Sequence, residues 1–378
     1  MPAALSSEQL SRDLSVRDLT DPADGPHAIQ LVLNRTVSAL ADAWGCQVRW
    51  CRGPRISSIE DNYDNLRFSG DDVTRDARYT RYVDGHRMLR SHSSALIPPA
   101  LRALAGDPAA PDDVLLACPG IVYRRDAIDR LHTGTPHQLD LWRLSRRTPP
   151  MAPADLDQMI TVVLGAILPG AASRCEPRVH PYTLHGQQVD VEHDGEWVEV
   201  AECGLAHPEV LARASLDSTW SGLAMGIGLD RLLMLIKGVP DIRALRSTDP
   251  AIAAQMLDLA PYRPVSAMPA IRRDISVAVD AETVDEDLGD RVREALGEDA
   301  SCVESVQILS QTPCSELPEA ALARLGAQRD QNNVLVRIVL RHLERTLTDH
   351  DANVLRDRVY AAVHAGTAHQ WATDPPQA

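Results

Sequence analysis

The sequence predicts an α+β fold: an antiparallel sheet flanked by helices, followed by a smaller split β-α-β domain of ferredoxin-like type. Three observations carry this. Val114 to Leu144 reads as two strands around a polar loop, the first apolar as far as Val122 and the second, from His137, partly alternating. Gly186 to Val200 alternates strongly around the acidic turn His193-Asp194-Gly195, the pattern of a hairpin. Beyond Asp258 the order becomes β-α-β then β-α, which suits a split β-α-β domain.

With 378 residues the chain has room for two domains and a substantial core. Its net charge of −15 argues against a generally basic protein that coats nucleic acid, though not against a local Arg-rich face. Seven cysteines lie scattered with no C-x-x-C pair, which argues for reduced thiols and no zinc site. No apolar h-region opens the chain and no segment approaches a membrane span, so the expected compartment is cytoplasmic.

Residues 1–25 read as a flexible lead-in. Ile29, Leu33, Val37, Leu40 and Trp44 then mark one face of a helix that Gly45 ends, and Cys46 to Trp50 follows as a short strand. Ser58 to Tyr82 is polar and irregular. In the long hairpin, period two puts Arg124 and Asp126 on one face of the first strand and Gln138 and Asp140 on one face of the second. Arg124, His132, Gln138 and Asp140 would then converge on one polyanionic ligand carrying an amine; a solvated hairpin with surface charges is the alternative. Leu156 to Leu168 is a helix candidate. Gly222 to Leu232 (GLAMGIGLDRL) reads as a small-residue strand turning into a helix near Gly228, with Arg231 in the first helical turn. Pro261 and Pro264 bracket a linker. Strands follow at Ile271 to Val279, Cys302 to Leu309 and Val334 to Leu340. Helices are expected at Val284 to Leu296 and Asp349 to Val363, the second capped by Thr348.

Several stretches resemble class II aminoacyl-tRNA synthetases, and phenylalanine-tRNA ligase in particular. Gly120-Ile121-Val122-Tyr123-Arg124-Arg125-Asp126, with Asp129, His132 and His137-Gln138-Leu139-Asp140, is similar to that family's motif 2. Met88 to Ser94 (MLRSHSS) is close to its L-L-R-T-H-T-S, and Gly226-Ile227-Gly228-Leu229-Asp230-Arg231 to motif 3. Trp197 to Pro208 follows another family run, and Pro269 to Ile275 with Glu344 to Asp349 resembles the anticodon-binding domain of the single-chain organellar enzyme.

The resemblance implies a class II synthetase catalytic domain over 26–260 and a ferredoxin-fold anticodon-binding domain over 264–370. It also implies ATP and Mg²⁺ as cofactors and an amino acid and tRNA as partners, the chain acting as a monomer or homodimer with no membrane. Arg124 and Arg231 become the catalytic arginines, and Arg124, Asp126, His132, Glu199 and Arg231 the ATP contacts, with Glu199 also a metal ligand. His92, Ser94, Gln138, Asp140, His180, Tyr182, Glu202 and Ala224 would line the amino-acid site, and Arg272, Arg273, Arg341 and Arg345 would meet tRNA.

The chain departs from the family where the side chain is read. F-P-F-T-E is here His180-Pro181-Tyr182-Thr183-Leu184, a small Gly is Glu202, and a Gln is Ile97. The expected activity is adenylation of an aromatic or related amino acid and its transfer to tRNA. A repurposed enzyme that adenylates another amino acid, or a non-catalytic tRNA-binding paralogue, are the alternatives.

Overall fold

The computed structural model describes residues 4–264, 269–343 and 345–369, so Glu344 and the end of the expected C-terminal domain at 370 lie outside the described residues. Two compact units emerge. One comprises the described residues of 1–124, 135–240 and 254–262; the other those of 125–134, 241–253 and 263–369.

The first unit is built on a seven-stranded sheet. Its strands are β1 (Gln47–Trp50), β4 (Asp113–Ile121), β5 (His137–Ser145), β6 (Ser173–Pro177), β7 (Thr183–His193), β8 (Glu196–Ala206) and β9 (Ser221–Gly228). β2 (Ile56–Ser58) and β3 (Arg87–Leu89) form a separate pair. The order is β1-β4-β5-β9-β8-β7-β6, with β1 parallel to β4 and every other pairing antiparallel. The helix Ala28–Trp44 buries Ile29, Val32, Leu33, Val37 and Leu40, and ends where Gly45 takes a φ of 63° that a side chain disfavours. Asp194 and Gly195, at φ 52° and 84°, make the tight β7–β8 turn that the acidic tripeptide predicts.

Within the expected lead-in, the described residues from 4 onward carry regular structure. Ser7–Ser15 is a helix opened by a Ser6–Gln9 capping box. Its Asp13 pairs with Arg81 at 2.8 Å with both side chains nearly buried, and Leu19 is 1% exposed. Asp13 and Asp18 are internal partners of arginines and, for Asp18, of a backbone amide.

The second unit carries a three-stranded antiparallel sheet, β10 (Ile271–Asp280), β11 (Val303–Pro313) and β12 (Gln331–Leu340), in the order β10-β12-β11. β12 lies between two strands joined by the helix Asp285–Leu296, which makes the unit a split β-α-β; among the described residues the sheet has no fourth strand. Helix Asp349–Val363 starts at Thr348, whose side chain accepts from Asp351 N, and packs on the first helix and on β10. Val277, Val292, Val336, Ile338, Val359 and Tyr360 form the core of this unit, and Ile128 joins them.

Candidate adenylation site

Three rows of cross-strand partners cross the sheet of the first unit. Partners in register point to the same face. The first row is Gly120–Gln138–Gly228, the second Cys118–Asp140–Gly226–Glu202, the third Leu116–Trp142–Ala224–Gly204. Period-two alternation along β5 therefore puts Gln138, Asp140 and Trp142 on one face, as predicted for the first two.

The first two rows carry the polar groups. Ser94 Oγ donates to Asp140 Oδ2, and Trp142 Nε1 donates to Asp140 Oδ1 at 2.8 Å. Burial pushes the Asp140 carboxyl up to about 6, against the pull of those two donors. Gln138 Oε1 accepts from Ser93 N at 3.0 Å, which leaves the amide NH₂ to donate. Arg124 Nε donates to Ser91 O at 2.9 Å. His92 stacks on Phe68 at 5.6 Å between centroids, and its Nδ1 is buried with no hydrogen-bond partner among the described residues. Burial first, and the Arg124 charge second, push its imidazole down to about 3, so the ring is neutral.

Glycine keeps part of this face open. A Cβ built at Gly228 would meet nothing within 4 Å, and one at Gly226 only Asp140 Oδ2 and Glu202 O at 4.0 Å. Arg231 stands in the first turn of the helix Leu229–Lys237 that follows β9. That turn is tied to the start of β5. His137 N and Nδ1 both donate to the Asp230 carboxylate, and Leu19 N donates to His137 Nε2 at 3.0 Å, which fixes the proton on Nδ1. Gln138 and Arg231, each adjacent to one member of this buried pair, are thereby indexed to each other.

Glu199 reaches the face through an irregularity. A register shift between Val189 and Asp190 opposite β8 breaks the alternation. Burial and then the Glu202 charge raise the Glu199 carboxyl, while Arg231 lowers it. Burial works to raise the Glu202 carboxyl too, but His180 and Arg178 outweigh it and hold it below the usual range. Arg178 Nε donates to Glu202 Oε1 at 3.0 Å, and His180 Nε2 stands 2.9 Å from Oε2.

The third row is filled. Trp142 is 0% exposed, stands opposite Ala224, and stacks against Tyr182 at 6.4 Å and 25°. Tyr182 continues into a run of rings with His180 at 5.6 Å and Phe68 at 6.0 Å. A Cβ at Gly204 would strike Thr183 Cβ at 2.7 Å. Trp142 escaped attention in the sequence, although the alternation that located Gln138 and Asp140 points to it as well.

Asp126 and His132 lie in a segment that groups with the second unit. The first strand of the hairpin ends at Ile121, before Arg124, and residues 125–134 group with the second unit. There Arg293 donates to Asp126 O at 2.6 Å and Ala127 O at 2.9 Å, Arg125 faces Asp287 and Asp290, and His132 Nδ1 meets Asp129 Oδ2 at 2.7 Å. Of the expected tRNA contacts, Arg273 pairs with Asp349, Arg341 with Glu304 and Arg345 with Asp351, while Arg272 is exposed.

The fold and the rows of the sheet define a class of protein. Residues 13–256 match the family model described as the tRNA synthetases class II core domain (F), and the chain belongs to that family. Within it, the chain is similar to phenylalanine-tRNA ligase alpha subunits. It is 32% identical to that of Prochlorococcus marinus (strain MIT 9313) over 250 residues, 65% of this chain and 71% of the relative. With the Hamiltonella defensa subunit the identity is 31% over 255 residues, covering 65% and 74%. With that of Prochlorococcus marinus subsp. pastoris it is 31% over 198 residues, covering 52% and 56%. The chain thus spans roughly half to three quarters of the length of these relatives. It is a phenylalanine-tRNA ligase-like class II synthetase.

Proposed function

We propose that this chain activates an amino acid with ATP to an aminoacyl-adenylate and passes the acyl group to tRNA. The carrying observation is the polar face formed by Ser94, Gln138 and Asp140, with Arg124 and a motif 3 Arg231 on elements that flank it. In this reading the substrate carboxylate attacks the α-phosphorus, the bond to the β-phosphate oxygen breaks, and pyrophosphate leaves. Arg124 stabilises charge building on the α-phosphate through a guanidinium fork. Arg231 holds the triphosphate end. Asp140, with Ser94, accepts from the substrate ammonium, and the Gln138 amide donates to an oxygen of the substrate. Positioning and charge neutralisation carry the step, since no covalent protein intermediate is needed.

Mg²⁺ fits as a partner of the phosphates. Among the described residues no three carboxylate, His or Cys side chains group to hold a metal alone. A single carboxylate sharing the ion with phosphates is the usual Mg²⁺ arrangement. Glu199, raised by burial and by Glu202, is the acid a cation would relieve. When bound, the ion would offset phosphate charge.

Transfer to tRNA draws on the second unit, where Arg272 is the arginine best disposed to meet a phosphate and Arg273, Arg341 and Arg345 would first have to exchange their acidic partners. A cytoplasmic setting agrees with seven unpaired cysteines, and the enzyme is read here as a monomer or homodimer. A second reading, an adenylating enzyme with a different acceptor, is favoured by one observation: the altered side-chain row. Incubating the protein with ATP, total tRNA and a labelled amino-acid mixture tests both. Labelled tRNA is expected. Adenylate and AMP without labelled tRNA would support the second reading, and neither product would overturn both.

A further inference from the structure

Resting on the adenylating reading above, we infer that the site takes a small amino acid of the serine to threonine class, and that Trp142 sets this limit. The ammonium position is fixed by Asp140 and Ser94 in the second row. From there, with the open first row over Gly228 given to the triphosphate in this reading, a side chain has two ways to go across the sheet.

Toward the third row the way is closed. Ala224, the residue the resemblance puts at the pocket floor, lies opposite Trp142, and the Trp142 indole, fully buried, lies against Tyr182. Inserting a phenyl ring between two rings needs about 7 Å, twice the carbon contact distance. The Trp142 and Tyr182 centroids are 6.4 Å apart and Trp142 is 0% exposed, so no third ring fits between them. The indole cannot swing away without breaking its bond to Asp140 Oδ1, a charge-assisted bond that also fixes the ammonium acceptor. Thr183 closes the same row over Gly204. The third row is thus filled by the protein's own side chains.

Along the second row the way is open but short. Neighbouring strands are about 4.8 Å apart, so one interstrand step separates Asp140 from Gly226 and another brings Glu202. The space over Gly226 is free to 4.0 Å. A side chain of one to three heavy atoms lying there ends near the Glu202 carboxylate, which is held ionised and faced by Arg178 and His180. An acceptor at that end favours a hydroxyl over a methyl group, and a bulky apolar group would strip water from the carboxylate without a return hydrogen bond.

The test is ATP–pyrophosphate exchange by the full chain with each of the twenty standard amino acids. The fastest exchange is expected among glycine, alanine, serine, cysteine and threonine, with serine or threonine leading and phenylalanine at least tenfold slower. Trp142→Leu is expected to raise phenylalanine exchange at least tenfold. Tyr182→Ala, which opens the same stack from its half-buried side, serves if the core variant does not fold. Fastest exchange by wild type with phenylalanine, or with any amino acid larger than threonine, overturns the size limit and leaves the ligase reading standing. Exchange with none of the twenty removes the ligase reading, and the inference with it.

Discussion

The open rows and the filled row lie side by side on one sheet face, yet they depart from the family to different degrees. The rows holding Gln138, Asp140, Gly226 and Gly228 keep most of the residue types the resemblance expects there, Glu202 in place of a small Gly being the exception. One step along the same strands, Trp142 and Tyr182 close the space above Ala224. Neighbouring rows share a backbone but not a task. Adenylation depends on charges and small residues whose geometry tolerates no change; side-chain choice depends on volume, which a single ring can alter.

If the two are separable, variants in each should fail differently. The largest effect is expected for Arg124→Ala: losing a preorganised donor to developing phosphate charge should lower kcat of exchange by about 10²- to 10³-fold, equally for every amino acid. Steady-state exchange with the preferred substrate and one poor substrate checks the equality. Unequal loss would mean that Arg124 also reads the side chain.

Trp142→Leu should act on the other row. Substrate ratios set by apolar volume change by about 10- to 200-fold, so the phenylalanine-to-serine ratio of kcat/KM should rise within that range. The KM for ATP should stay within about twofold.

Asp140 links the two rows, and its pH behaviour sharpens the comparison. Its carboxyl is raised to about 6 by burial, so it is ionised above that pH and protonated below it. Only the ionised form draws an ammonium. The amino-acid kcat/KM of the free enzyme should therefore fall about tenfold per pH unit below about 6, and this limb should vanish in Asp140→Asn. His92, near 3, is neutral throughout and contributes no limb in this range.

The smallest effect belongs to the buried tie between β5 and the motif 3 helix. Asp230→Asn keeps the shape but loses the charge that orients His137, and should cost about 1–3 kcal/mol of stability with a several-fold rise in the KM for ATP. Chemical denaturation with ATP kinetics on the same preparation separates the two effects. A stability loss with no change for ATP would make the pair purely structural.

Much of this was legible in the sequence, for reasons that also mark where legibility stops. The strands around Gln138, the β7–β8 turn at Asp194-Gly195 and the Thr348 cap follow from alternation, turn chemistry and capping, all local rules. Trp142 was visible by the same alternation, but its meaning required knowing that it stands opposite Ala224, a cross-strand fact. Glu199 faces the site only because the pairing slips near Asp190, and no pattern of types announces a bulge. The first strand of the hairpin stops at Ile121, short of Arg124, and Ile128 enters the core of the second unit, neither of which alternation announces. The ordered N-terminal helix was missed because Asp13 and Asp18 look like solvent-facing acids until Arg81 and Arg90 are seen beside them.

The most direct test of the account is ATP–pyrophosphate exchange by Arg124→Ala and Trp142→Leu, assayed side by side with serine and phenylalanine. The account predicts that the first variant loses exchange with both amino acids in equal proportion, while the second keeps its ATP affinity and shifts toward phenylalanine at least tenfold. A Trp142 variant that loses ATP affinity, or keeps the wild-type ratio of the two amino acids, would contradict the claim that one row performs the chemistry and the next makes the choice.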